Sequence, residues 1–146
     1  MSRNYIKFSK PLHGNEEKNA LIKVMNSGWL TTGKKTTLFE NNFKKYKNSK
    51  YSLALNSCTA ALHVSLLLLN LKKNEEVITS AMTFSSTINS IIVSGAKPIL
   101  ADVELGSQNI DPMDIERKIT KKTKAILIVH FAGRPCDMDK IMIIVK

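Results

Sequence analysis

The sequence predicts an α/β fold with a mainly parallel sheet covered by helices. Two observations carry that reading. Short apolar runs, each long enough for one strand, recur from Tyr51 onward: Tyr51–Leu55, Glu76–Thr79, Lys97–Asp102 and Lys124–Val129. Between them lie stretches whose apolar residues fall at helical spacing. Four strands joined by helical crossovers indicate a mainly parallel sheet, with helices on the sheet faces.

Each element has its own local signal. Asn15 is placed to cap a helix whose Ala20, Leu21, Val24 and Met25 share a face, and Ser27-Gly28 ends it. A polar turn, Thr31-Thr32-Gly33, precedes a second helix from about Thr37 to Lys47. Its expected buried side is Leu38, Phe39, Phe43 and Tyr46. Cys58 to Asn70 reads as a helix on the spacing of Leu62, Leu66 and Leu69, and Phe84 to Ser94 as another, stopped by Gly95. Asp111-Pro112 opens a helix to Ile119, proline suiting the first turn. Asp137 caps the last helix, in which Ile141, Met142, Ile144 and Val145 form an apolar stripe with no strand after it. The alternation is therefore expected to be incomplete at the carboxyl end, and the 146 residues read as a single truncated domain without linkers or repeats.

Composition narrows the function classes. With 43% hydrophobic residues the chain can bury a core. The net charge of +10 comes almost entirely from lysine, in pairs such as Lys34-Lys35, Lys44-Lys45, Lys72-Lys73 and Lys121-Lys122 spread along the chain. That spread favours a solvated basic surface over a dedicated nucleic-acid face. Cys58 and Cys136 have no metal-ligand or CxxC spacing. The polar, basic start lacks an apolar leader, and the longest leucine run, Leu66 to Leu69, is too short to cross a bilayer. A cytoplasmic protein without a membrane or metal partner is the expectation.

Asn56-Ser57-Cys58-Thr59-Ala60 lies where the first strand turns into a helix. Unpaired N–H groups and the positive helix end, with hydroxyls at Ser57 and Thr59, suit a phosphate; an ordinary Ser/Thr cap fits the same residues. Phe84 follows the next strand and could stack on a flat ring or be a core aromatic. His130 follows the last strand, as an acid, base or ring contact, or as a hydrogen-bonded loop histidine. His63 and His13 read as structural, and Asp102, Glu104 and Asp111 as caps or solvated carboxylates. Cys58 lacks an identifiable base partner for a nucleophile.

Seven motifs in order then resemble a known family: Gly28-Trp29-Leu30-Thr31-Thr32-Gly33, Asn56 to His63, Glu75 to Thr79, Gly95 to Pro98, Asn109 to Pro112, Lys121 to Ile126, and Val129 to Asp139. From about Phe8 to Asp139 the chain resembles the DegT/DnrJ/EryC1/StrS aminotransferases, most of all the 4-amino-4-deoxy-arabinose (lipid A modification) and perosamine-type enzymes. The resemblance implies the three-layer large domain of aspartate aminotransferase, with the small carboxyl-terminal domain absent. It implies pyridoxal phosphate as cofactor, a homodimer, and a nucleotide-linked keto-sugar and an amino donor as substrates. Carried over by position, Ser57, Cys58, Thr59 and Ala60 would hold the cofactor phosphate and Phe84 would stack on its ring. Trp29, Thr31, Thr32 and His130 would border the substrate. The family's lysine that bonds the cofactor, and its aspartate for the pyridine nitrogen, match no position here, so no residue is assigned as catalytic. The expected function is that of an inactive amino-terminal part of such an enzyme. A split enzyme completed by a second chain, or a non-catalytic phosphate- or nucleotide-binding module, are the alternatives.

Overall fold

The computed structural model describes residues 9–145; positions 1–8, including Phe8 where the resemblance starts, and Lys146 lie outside the described residues. The chain divides into an amino-terminal unit, up to Ala54, and a larger unit from Leu55.

The amino-terminal unit contains two helices, α1 (Asn15–Asn26) and α2 (Lys34–Lys47). The cap of α1 is Gly14 rather than Asn15, because the Glu17 carboxylate reaches back to accept the Gly14 N–H at 2.6 Å. Glu16 and Glu17 also place negative charge at the positive helix end. Gly28, at φ +69°, takes the left-handed conformation that follows the helix. α2 starts at Lys34, earlier than the spacing suggested, since the Gly33 carbonyl already accepts the Thr37 N–H at 3.1 Å. The apolar faces expected to be buried are open: Leu21, Met25, Leu38, Phe39 and Tyr46 are all more than half exposed, and the Phe39 and Phe43 rings pair with centroids 5.9 Å apart. No described residue of this unit is buried.

Tyr51–Leu55, expected as a buried strand, forms no strand, and Tyr51 and Leu53 are exposed. A strand exists only by pairing, and no described residue offers this segment a ladder. The Glu40 carboxylate accepts the Ala54 N–H at 2.8 Å instead.

The larger unit is a three-layer α/β structure. Its helices are α3 (Cys58–Leu67), α4 (Ser85–Val93), α5 (Pro112–Lys118) and α6 (Met138–Ile144), and its strands β1 (Glu76–Ser80), β2 (Lys97–Ala101) and β3 (Thr123–Ile126). The strands are parallel in the order β2-β1-β3, with Ile78 level with Ile99 on one side and Ile126 on the other. All five residues of β1 are buried. Its side chains alternate between two cores. Ile78 packs with Ala101, Ile110, Ile115, Cys136 and Ile141 beneath α5 and α6; Val77 packs with Leu66, Ile91 and Ala96 beneath α3 and α4. The three buried polar residues of β1 are satisfied: Thr120 donates to the Glu76 carboxylate at 2.6 Å, Thr79 donates to the Leu127 carbonyl at 2.7 Å, and Ser80 donates to the Met82 carbonyl at 3.4 Å. β3 ends at Ile126, short of the expected Val129, although the Leu127 N–H still reaches the Ile78 carbonyl at 2.8 Å.

Asp114 ties α5 to the end of β2. Its buried carboxylate accepts the Asp102 N–H at 2.7 Å and the Lys118 ammonium at 2.7 Å, and Lys118 also donates to the Leu100 carbonyl at 2.7 Å. The Lys118 contact first, then the Asp102 N–H, holds this carboxyl below its ordinary value of 3.8. A depressed acid stabilises the fold fully above its unfolded pKa and loses that contribution as pH falls through the lower folded value. Asp114→Asn is therefore expected to lower stability at neutral pH by on the order of 1–2 kcal/mol. In denaturant melts the gap between the two proteins should narrow as the pH drops below the ordinary aspartate range; a constant gap would refute the assignment.

Candidate functional site

Because β1 and β3 are parallel, the loops that follow them leave the same edge of the sheet. Phe84 ends the loop after β1 and begins α4; His130 lies beyond β3. α3 packs on α4, which sets the helix that starts at Cys58 beside the one opened by Phe84.

The start of α3 has a divided role. Ser57 is a true side-chain cap: its hydroxyl accepts the Ala60 N–H at 3.1 Å. The Ala61 N–H reaches the Ser57 carbonyl at 3.1 Å. That leaves the N–H groups of Cys58 and Thr59 without a partner among the described residues. Both side chains are exposed, and no acidic residue stands in the first turn. Two N–H groups left unpartnered at the positive end of a helix, with a hydroxyl residue at Thr59, suit an anion with several oxygens. The cap reading is thus met at Ala60, and the Cys58 and Thr59 N–H groups that precede it are not used by the cap.

Phe84 is 76% exposed, which rules out a role as a core aromatic. Behind it, the hydroxyls of Thr83 and Thr87 bond at 2.7 Å and fix the turn into α4. The ring is thus presented outward from an anchored loop.

His130 is exposed, and its Nδ1 accepts the Cys136 N–H at 3.0 Å. That bond fixes the orientation and, for the neutral ring, leaves the proton on Nε2. The loop itself is clamped by Asn109, which is 2% exposed. Its amide donates to the carbonyls of Arg134 at 3.1 Å and Pro135 at 2.9 Å, and its oxygen accepts the Phe131 N–H at 2.9 Å. Arg134 adds a bond to the Gly106 carbonyl at 2.9 Å. Sequence reasoning did not single out Asn109 for this work; an asparagine just before a helix cap reads as a turn residue, and its partners are more than 20 positions away.

The other polar candidates have local duties. The Asp111 carboxylate caps α5 by accepting the Met113 N–H at 2.9 Å, and that of Glu104 accepts the Ser107 hydroxyl at 2.7 Å. Burial pushes the Cys136 thiol up, and Cys136 donates to the Val129 carbonyl at 3.3 Å, so it is a packing residue. Cys58 is a free, exposed thiol. Among the described residues no group of His, Cys, Asp and Glu is arranged to hold a metal ion.

Trp29, Thr31 and Thr32 belong to the amino-terminal unit. The Trp29 indole N–H donates to the Thr32 carbonyl at 2.8 Å, and the Trp29 backbone N–H to the Ser27 hydroxyl at 3.3 Å. Gly33 lies directly against the indole: a Cβ there would come within 2.6 Å of the ring. The motif Gly28 to Gly33 is therefore a self-locking turn built around one aromatic side chain.

The sequence pattern of the DegT/DnrJ/EryC1/StrS aminotransferase family matches residues 11–146. The chain belongs to this family. It is 43% identical to the spore coat polysaccharide biosynthesis protein SpsC of Bacillus subtilis, over 98% of the chain and 37% of that protein. Spr1654 of Streptococcus pneumoniae in its PLP-form superposes with a TM-score of 0.89 at 35% identity, over 95% of this chain and 36% of that one. Helicobacter pylori PseC, an aminotransferase involved in the biosynthesis of pseudoaminic acid, superposes at 0.83 with 33% identity, over 92% and 37%. The chain thus spans little more than a third of the length of these relatives. The α/β fold and the family expected from the motif series both agree with these similarities.

Replacing Asn109 with alanine removes three hydrogen bonds from a buried site. A loss of about 2–4 kcal/mol in stability is expected. Amide exchange should quicken at Phe131, and Ile78 in β1 should remain protected until global unfolding; equal acceleration at both would contradict a local clamp.

Proposed function

We propose that this chain is the amino-terminal part of the cofactor-binding large domain of a pyridoxal-phosphate-dependent aminotransferase acting on nucleotide-linked keto-sugars. The supporting observation is the start of α3, where the Cys58 and Thr59 N–H groups have no partner among the described residues while Ser57 caps the helix through Ala60. A phosphate monoester fits that donor set in charge and number of acceptors. The PLP- and PMP-forms of the relative from Streptococcus pneumoniae agree with it.

When bound, pyridoxal phosphate supplies an aldehyde carbon that takes up the amino group and a ring that spreads the developing charge. The residues of this chain hold and orient. Cys58 and Thr59 keep the phosphate at the helix end, with Ser57 setting the turn through the Ala60 N–H. Phe84 lies against one ring face, which restricts the tilt of the ring. His130, carrying its proton on Nε2, offers a donor at the same sheet edge. Trp29, Thr31 and Thr32 border the sugar substrate. We assign no residue to proton transfer at the reacting carbon, so the 146 residues by themselves bind without catalysing. The apolar side chains left open, among them Leu21, Phe39 and Leu53, are those that a homodimer or further polypeptide would cover. No described helix is long and apolar enough to cross a membrane, and we place the protein in the cytoplasm.

Amide spectra of the isotope-labelled chain test this reading. Added pyridoxal phosphate should shift the Cys58 and Thr59 signals, and pyridoxal without phosphate should not. Thr59→Glu should weaken the effect at least about tenfold. Borohydride trapping should label scattered surface lysines only. Shifts confined to other regions, or one lysine trapped stoichiometrically, would refute the proposal.

A further inference from the structure

The loop that carries His130 is gripped by a second loop, Val103 to Ile110, whose internal bonds all serve to aim one side chain. Val103 and Ile110 form a bridge, the Glu104 N–H donates to the Asn109 carbonyl at 3.0 Å, and the Gln108 N–H donates to the Glu104 carbonyl at 2.8 Å. The Ser107 hydroxyl, itself donating to the Glu104 carboxylate, accepts the Asn109 N–H at 3.1 Å. From this bracket the Asn109 side chain clasps both ends of residues 130–136: Phe131, next to His130, and Arg134 and Pro135, just before Cys136. We propose that Asn109 is a positioning residue for His130. By fixing the two loop ends relative to each other it aims the Cys136 N–H at the ring Nδ1, so the neutral ring meets a ligand with its Nε2–H alone. The inference rests on the reading above, in which His130 borders the substrate. It deepens that reading by naming the residue that orients the ring, and the ligand group the ring admits: an oxygen with free lone pairs rather than an ammonium.

Backbone strain points to this clasp. The non-glycine residues described with positive φ are Asn48, Asn70, Asn74, Gln108 and Ala132. Asparagine tolerates that region through local bonds of its short side chain, which glutamine and alanine do not offer. The two exceptions both belong to the clasp: Gln108, at φ +58°, immediately precedes Asn109, and Ala132, at φ +50°, lies within the loop it holds. Such conformations persist where the surroundings over-determine them. The anchoring of the donor is a second, independent observation. His130 is exposed, and among the described residues its ring has one hydrogen bond, from the Cys136 N–H at 3.0 Å. An exposed imidazole with a single bond turns freely unless that donor is itself fixed. Cys136 is fixed: it is buried with Ile78 and Ile141, and its thiol donates to the carbonyl of Val129, the residue before His130. Arg134 joins the same two loops through the Gly106 carbonyl at 2.9 Å.

The test reads the isotope-labelled chain without ligand at about pH 8, above the ordinary histidine range, so that the ring is neutral. A scalar coupling across the hydrogen bond from the Cys136 nitrogen to His130 Nδ1 is expected. Nδ1 should resonate as an unprotonated and Nε2 as a protonated ring nitrogen. Asn109→Ala should abolish the coupling and draw the two ring-nitrogen shifts together, as both tautomers become populated. Ile115→Val loosens the core around Cys136 without altering a hydrogen bond of either loop, and should leave coupling and shifts in place; this separates positioning from stability. Should Asn109→Ala not fold, the wild type decides alone. Its Phe131 and Cys136 amides share one opening, so their protection should agree within about threefold and fall together in denaturant. Absence of the coupling in the wild type, its survival in Asn109→Ala, its loss in Ile115→Val, or free exchange of Cys136 while Phe131 stays protected would each overturn the proposal. No ligand takes part, so these failures are distinct from a failure of pyridoxal phosphate to shift Cys58 and Thr59.

Discussion

The burial of β1 on both faces is the constraint on which the larger unit depends. Val77 and Ile78 are fully excluded from solvent and point to opposite cores, so the strand needs a helical layer on each side. Two covered faces leave only parallel neighbours reached by crossover helices. Parallel strands in turn release their following loops at one edge, which is why Phe84 and His130 come off the same side of the sheet. The site geometry is thus a consequence of the packing of five residues.

Much of this was legible in the sequence because the signals were local. Asp111 and Asp137 accept N–H groups of the helices they precede, as their positions suggested, and Gly95 adopts φ +90° where it stops α4. The elements that could not be read are those defined by distant partners. Tyr51–Leu55 has strand-like residues, but strand formation requires a ladder that no described residue supplies. Leu38 and Phe39 lie at helical spacing, and the spacing says which residues share a face without saying what covers it. The Asn109 clamp was invisible for the same reason, since its value lies in carbonyls 25 and 26 positions onward. At Cys58 and Thr59 the donors were legible, and the capture of the Ala60 N–H by Ser57 separated two readings that sequence had left open.

Electrostatics is organised differently in the two units. In the larger one, Lys118 shares Asp114 with the Asp102 N–H, and Lys140 pairs with Asp137 at 2.9 Å. These lysines neutralise helix-associated carboxylates. The Asp137 carboxyl is held below its ordinary value by Lys140, and Lys140 is raised in return. In the amino-terminal unit Lys23, Lys34 and Lys35 line a cavity instead. Lysines paired with carboxylates therefore account for only part of the positive charge.

The phosphate site proposed at the start of α3 asks little of side chains. Its proposed donors are mostly main-chain N–H groups, so the identity of Cys58 matters less to it than the helical conformation Ser57 initiates. Each such bond contributes about 0.5–1.5 kcal/mol net, and somewhat more toward a charged acceptor. Association alone costs roughly 4–15 kcal/mol. Two N–H groups and a hydroxyl cannot outweigh that by themselves. The ring contact from Phe84 adds about another 0.5–1.5 kcal/mol beyond its buried area. It follows that the helix start determines where a phosphate sits far more than how tightly it is held. Most of the affinity of such a site has to arise from contacts to the rest of the cofactor.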